Sequence, residues 1–241
     1  MIGVLGGMGP LATVDFMKKI VEATPAAGDQ AHVPVLAHND PRIPDRTDAI
    51  LGNGPSPLPA LCRGLQTLVN AGARCIAIPC NTAHRWHAEL AAESPVPVLH
   101  IADAVSDTLR ARAVRRVGLL ATDGTLAAGV YQHRIDTPDM TWIVPTAAEQ
   151  ARVMAGIRAV KAGDIARGAE ELEFAARALQ ARGAEIIVLA CTEIPLAIEA
   201  GGFERDACLD ATQALAAECV AWWHMHQPVA PVATEFSAVV G

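Results

Sequence analysis

The stretch Gly72-Ala73-Arg74-Cys75-Ile76-Ala77-Ile78-Pro79-Cys80 recurs 111 residues later as Gly183-Ala184-Glu185-Ile186-Ile187-Val188-Leu189-Ala190-Cys191. In each copy a glycine ends a helical run, a short apolar β-type run follows, and a cysteine stands at its end. The likeness extends upstream, where Leu61 matches Leu172 and Leu68 matches Leu179; Ile2-Gly3-Val4-Leu5 matches Val117-Gly118-Leu119-Leu120 at an offset of 115. A chain built this way is two related halves. They change over near Leu99 or His100 with no long linker, so the halves are expected to pack face to face.

Outward from the repeat, apolar runs at 2–5, 34–37, 76–78, 98–101, 117–120, 141–144 and 186–189 alternate with helical spacing at 59–71, 147–162, 164–182 and 212–223. Lys161-Ala162-Gly163-Asp164 ends one helix and caps the next. This pattern predicts an α/β fold of two pseudo-symmetric α/β domains, with mostly parallel sheets facing a shared cleft. Residues 1–99 with a returning C-terminal helix at about 208–227 form the first half and 100–207 the second; the proline-broken tail 228–241 is expected to be poorly ordered.

The chain has 241 residues, 51% hydrophobic and 19% charged, enough to bury a sizeable core. Nineteen basic residues against 26 acidic ones leave a charge of −7 with no basic block, and aromatics are 4%, so neither phosphate-backbone binding nor base stacking is expected. The opening MIGVLGGMGP has no basic run, and from Met1 to Val14 it is charge-free with four glycines and a proline, unlike a signal peptide or a membrane span. Six cysteines with no CxxC pair read as reduced thiols of a cytoplasmic protein. The expected partner is a small molecule, not nucleic acid or membrane, and a homodimer is the candidate assembly.

Ligands of open α/β sheets bind at the carboxyl ends of strands, which is where Cys80 and Cys191 stand, followed by the polar pairs Asn81-Thr82 and Thr192-Glu193. Free backbone N–H groups at such ends favour an anion, either a substrate carboxylate or a thiolate of lowered pKa. Cys62, Cys75, Cys208 and Cys219 read as small core residues. A Cys80–Cys191 disulfide and a metal held by Cys80, His84 and His87 are alternatives; the first suits an oxidising compartment, and the second lacks a fourth ligand and a zinc spacing. The turn GGMGP at 6–10 has neither GK[ST] nor GxGxxG, so its glycines serve close backbone approach rather than a cofactor phosphate. The loop 39–47 carries Arg42 and Arg46, able to receive a carboxylate or to pair with Asp40 and Asp45 within the loop.

Five motifs in order, GGMGPLAT at 6–13, PRIPDRT at 41–47, PCNTAH at 79–84, Lys161-Ala162-Gly163 and ACTEIPL at 190–196, resemble the aspartate/glutamate racemase superfamily, and its aspartate racemase branch, from Ile2 to about Trp223. The resemblance implies a cofactor-independent amino-acid racemase acting on aspartate or a related acidic amino acid. Cys80 and Cys191 match its two acid–base cysteines, Asn81 and Thr82 its α-carboxylate segment, and Arg46 and Lys161 its side-chain carboxylate receptors. Met8, Gly9 and Thr122 fall on its cleft, with Thr192 and Glu193 beside the second cysteine; no metal is implied. Position 11 is Leu where many members carry Glu, position 190 is Ala where Gly is frequent, and Glu193 stands where glutamate racemases carry His.

Inverting an α-carbon needs a proton taken from one face and returned to the other, which two tuned thiols can do; Asn81, Thr82 and Thr192 are expected to donate to the developing enediolate. Pyridoxal chemistry would need a Schiff-base lysine, and of Lys18, Lys19 and Lys161 only the last is placed for it, without a phosphate cup. A cysteine-dependent decarboxylase or cis–trans isomerase on the same fold, and a non-catalytic amino-acid-binding protein, remain as alternative functions.

Overall fold

The computed structural model describes residues 1–135 and 140–227. The first part of the chain runs β1 (Ile2–Gly6), α1 (Pro10–Ala23), β2 (Val35–Asn39), α2 (Arg46–Ile50), α3 (Leu58–Asn70), β3 (Cys75–Ala77) and α4 (His87–Glu93). It continues with α5 (Ile101–Ala111), β4 (Arg116–Ala121), α6 (Asp123–Ala127), β5 (Thr141–Ile143), α7 (Ala147–Lys161), α8 (Ile165–Ala181), β6 (Ile186–Ala190), α9 (Glu193–Ala200), β7 (Cys208–Asp210) and α10 (Ala211–Met225).

Two parallel sheets result, ordered β2-β1-β3 and β5-β4-β6-β7. The internal repeat is reproduced in their register. Ile2, Gly3 and Val4 pair with Cys75, Ile76 and Ala77, and the residues that the offsets of 115 and 111 select, Val117, Gly118 and Leu119, pair with Ile186, Ile187 and Val188. Both faces of each sheet are covered, which is why the strands read as continuous apolar runs.

The period of two along each strand sorts side chains between layers. Ile2 and Val4 face a core shared by both sheets with Val117, Leu119, Ile186 and Val188, into which α1, α5 and α10 insert Phe16, Val105 and Leu215. Leu5 and Ile76 turn the other way onto Leu61, Leu65 and Leu68 of α3, while Leu120 and Leu189 meet Val153, Leu172 and Leu179 of α7 and α8. Each such fully buried Leu or Ile contributes about 1.5–3 kcal/mol. The ammonium of Lys19, 8% exposed, ties α1 to β7 and α10 by reaching Asp15 Oδ2 at 2.5 Å, Asp210 Oδ2 at 2.6 Å and Thr212 Oγ1 at 2.9 Å. Their charges raise its pKa despite burial, which works against the cation.

The strand expected at 98–101 is not formed as such. Val98 makes a single parallel bridge to Ile76, and Ile101 already opens α5, because His100 caps that helix by accepting from the Ala102 N–H through Nδ1 at 3.1 Å. The three-residue edge strand β7 carries too little pattern to be read from sequence and extends the second sheet. The tail expected to be disordered lies outside the described residues.

Candidate active site

At the end of β1 the chain turns at Gly7, with φ +94°, where a Cβ would lie 2.2 Å from the carbonyl oxygen of Asp40; only glycine fits there. The turn is fastened by the Gly7 N–H donating to Thr13 Oγ1 at 2.9 Å. This presses Met8 against the loop 40–46, where the two arginines separate. Arg42 is exposed and takes Asp40 in a fork, Nε to Oδ1 at 2.8 Å and Nη2 to Oδ2 at 3.1 Å, which holds that carboxyl down at about 2. Asp45 caps α2 by accepting from the Asp48 N–H.

Arg46 is thereby left with neither acid, so the alternative of an Asp40 or Asp45 partner does not hold. It is 8% exposed, and among the described residues its guanidinium donates only to backbone carbonyls: Nη1 to Ile43 and Pro44 at 3.3 and 3.1 Å, Nη2 to Met8 at 3.3 Å. Its Nε is buried with no partner among the described residues. Among the described residues no carboxylate lies within ion-pair distance of it, and a buried cation without a counter-ion is a costly arrangement.

Pro79 has no N–H to donate, and β3 ends just before it at Ala77; Cys80 follows, 5% exposed. Its carbonyl is held by His84, whose tautomer follows from its neighbours: the Ile101 N–H donates to Nε2 at 3.1 Å, so Nδ1 carries the proton and donates to Cys80 O at 2.9 Å. Burial pushes this imidazole down to about 4 and keeps it neutral. With both ring nitrogens engaged by backbone, His84 cannot also bind a metal, and the Cys80–His84–His87 alternative falls.

From the other half, β6 delivers Cys191, 6% exposed, whose thiol donates to Glu193 Oε2 at 3.1 Å. The Thr192 hydroxyl donates to the same oxygen at 3.0 Å, so the donor expected for an enediolate is engaged with Glu193. Burial, then the Glu193 carboxylate, push the Cys191 thiol well above its ordinary value, against the pull of Lys161. The sequence-based expectation of a lowered pKa is therefore not met at Cys191, because burial and a carboxylate outweigh one cation. All six cysteines are free thiols, so the disulfide alternative falls too.

The two halves meet over α2 and α6, where a Cβ on Gly124 would come within 2.9 Å of the Thr47 Cα. Beside this contact the hydroxyls of Thr82, Thr122 and Thr125 lie 2.9 Å from one another, one from the first half and two from the second.

These elements enclose one small cavity of about 20 Å³, the scale of a single ordered water. It is lined by Met8, Arg46, Cys80, Asn81, Thr82, Thr122, Lys161, Cys191, Thr192 and Glu193, together with Asp45 and Thr47. Gly9 is outside the lining but adjacent: a Cβ there would lie 3.3 Å from Glu193 Oε1. Lys161 lies at the rim; the desolvation of its ammonium and Arg46 oppose its charge, yet Glu193 and the two cysteines outweigh them and raise its pKa. Asp45 and Thr47 were within reach of the sequence reading, inside PRIPDRT; Tyr131, which touches Asn81, carried no signal beyond being the chain's single tyrosine. A larger cavity of about 260 Å³ between α1, α9 and α10 is the seam around Lys19, where the ammonium already has three acceptors.

Two parallel sheets, each followed by a cysteine on the same cavity, make up the α/β fold around the site. The Asp/Glu/hydantoin racemase family model matches residues 5–219. The chain belongs to that family and is thereby an isomerase. It is similar to the aspartate racemase of Picrophilus torridus, with 32% identity, a TM-score of 0.82 and coverage of 92% of this chain and 93% of that one. It is also similar to a broad-specificity amino-acid racemase of Bacillus subtilis, 28% identical over 200 residues that make up 80% of this chain and 86% of the relative. A glutamate racemase of Francisella tularensis in complex with D-glutamate shares the fold, at 15% identity, TM-score 0.71 and coverage of 93% and 81%.

Proposed function

We propose that the protein is a cofactor-independent racemase of aspartate or a closely related acidic amino acid, with Cys80 and Cys191 as its two acid–base groups. The observation that carries this reading is the presence of two thiols, from strand ends equivalent under the internal repeat, on one cavity. In one direction the Cys80 thiolate takes the α-proton and the Cys191 thiol gives its own to the opposite face of the carbanion; the reverse reaction exchanges the roles, so one proton is carried by the pair. Asn81 and Thr82 are read as the α-carboxylate site.

The substrate class rests on Arg46, a buried cation that lacks a carboxylate among the described residues, with Lys161 at the rim; a second carboxylate on the ligand supplies a counter-ion. Similarity to an aspartate racemase supports the same choice, and the broad-specificity relative makes it worth testing. Entry of an amino acid into a cavity this small requires its walls to part. On this reading residues 1–99 with about 208–227 form one half and 100–207 the other, except that β7 pairs with β6 and so adds Cys208–Asp210 to the second sheet. Six free thiols fit a cytoplasmic protein, and no helix among the described residues is long and apolar enough to cross a membrane.

The test is a chirality assay of the purified protein, without added cofactor, on a panel of acidic and neutral amino acids. Aspartate should racemise, Cys80→Ala and Cys191→Ala should each abolish it, and each variant should still exchange the α-proton of one enantiomer with deuterated solvent. Near wild-type racemisation by either variant would sink the two-cysteine assignment.

A further inference from the structure

Asn81 is 2% exposed and lines the cavity, and its amide is in contact with Tyr131, a residue of the second half that is 0% exposed and belongs to none of the motifs above. The phenol donates to Asn81 Oδ1, the only acceptor for its proton among the described residues. Burial first, then the charges of Asp210 and Cys191, push the phenol well above its ordinary value, so it stays protonated. Trp142 holds the ring from the side, 6.0 Å between centroids at 57°.

An Asn side chain has two faces, one donating and one accepting, and a half-turn exchanges them. With the phenol proton needing an acceptor, the oxygen must face Tyr131, and the NH2 group is turned away from it. That NH2 is buried and has no partner among the described residues. An unmatched donor costs about 1–3 kcal/mol in such a place, so the arrangement is poised for an acceptor from outside.

We propose that Tyr131 is a positioning residue that fixes the Asn81 amide with its NH2 presented to a carboxylate of the ligand. Since Asn81 comes from the first half and Tyr131 from the second, the donor is aligned only while the halves are together. The inference rests on reading this cavity as a carboxylate-binding site, but it does not need racemisation.

Calorimetric titration with succinate, which cannot racemise, and with aspartate tests it on the intact chain. Tyr131→Phe should weaken both about tenfold, the effect of one charge-assisted hydrogen bond, and should raise KM for aspartate more than it lowers kcat. In an Asn81→Ala background Tyr131→Phe should change affinity less than about twofold, because the amide it orients is gone. Wild-type affinity in Tyr131→Phe, or full multiplication of the two effects, overturns the proposal. If Tyr131→Phe does not fold, Asn81→Asp keeps the phenol's acceptor and deletes the donor; an unchanged affinity there overturns it as well. Wild-type protein that binds succinate but racemises nothing would remove the racemase reading and leave this inference standing.

Discussion

The Cys191 thiol donates to Glu193 Oε2 across 3.1 Å, while Cys80 has no carboxylate partner among the described residues. The two cysteines are equivalent in the repeat and unequal in their surroundings. Cys191 rests as a protonated thiol, since burial and the Glu193 charge both oppose its ionisation, and in the proposed mechanism this makes it the acid of the pair. Replacing the carboxylate by an amide removes the negative charge, so Glu193→Gln should let the Cys191 thiolate form at lower pH. A displacement of its ionisation profile towards lower pH is expected. Alkylation of the Cys191 peptide followed by mass spectrometry across pH reads it directly; an unmoved profile would mean that burial alone sets this thiol.

Arg46 makes the substrate prediction. Arg46→Ala should lower kcat/KM for aspartate by about 30-fold to several-thousand-fold, the equivalent of about 2–5 kcal/mol for one partner of a buried charged contact. Turnover of alanine, where measurable, should suffer far less. Arg46→Lys should restore part of the loss, because a point charge does not replace the fork. An unchanged preference for aspartate over alanine in Arg46→Ala would assign the residue to holding the Met8 and Ile43 carbonyls only.

His84 predicts an acid-sensitive fold. Burial pushes its imidazole down to about 4 in the folded chain, against an ordinary value of 6.5, so between these values the unfolded chain binds the extra proton. Its contribution is complete above about pH 6.5 and is lost as pH falls through 4, approaching about 3 kcal/mol in all. Urea unfolding at pH 7 and pH 4.5 should show wild type losing more stability than His84→Gln; parallel losses would contradict the assignment.

The sequence by itself determined the duplication and, through it, the register of both sheets, because β pairing follows apolar runs and the helix stops at Gly72 and Gly183 that precede them. It placed the two cysteines for the same reason, as Cys191 directly follows β6 and Cys80 stands a short step beyond β3. These are local and periodic signals, and tertiary context did not overrule them. Between residues 98 and 101 it did: the apolar run is short, and a His cap with a helix start beyond it took precedence over a strand. Only the tertiary structure decided which of two arginines four residues apart keeps its charge free, since Arg42 can reach Asp40 from the surface whereas Arg46 is folded inward under Met8. Only it set the direction in which the Cys191 thiol moves, because desolvation depends on everything packed around the sulfur. Tyr131 meets Asn81 across 50 positions of sequence, and no periodicity encodes a hydrogen bond between the two halves. Partners of that kind are fixed by how the sheets are set against their common core, a property of the whole packed molecule.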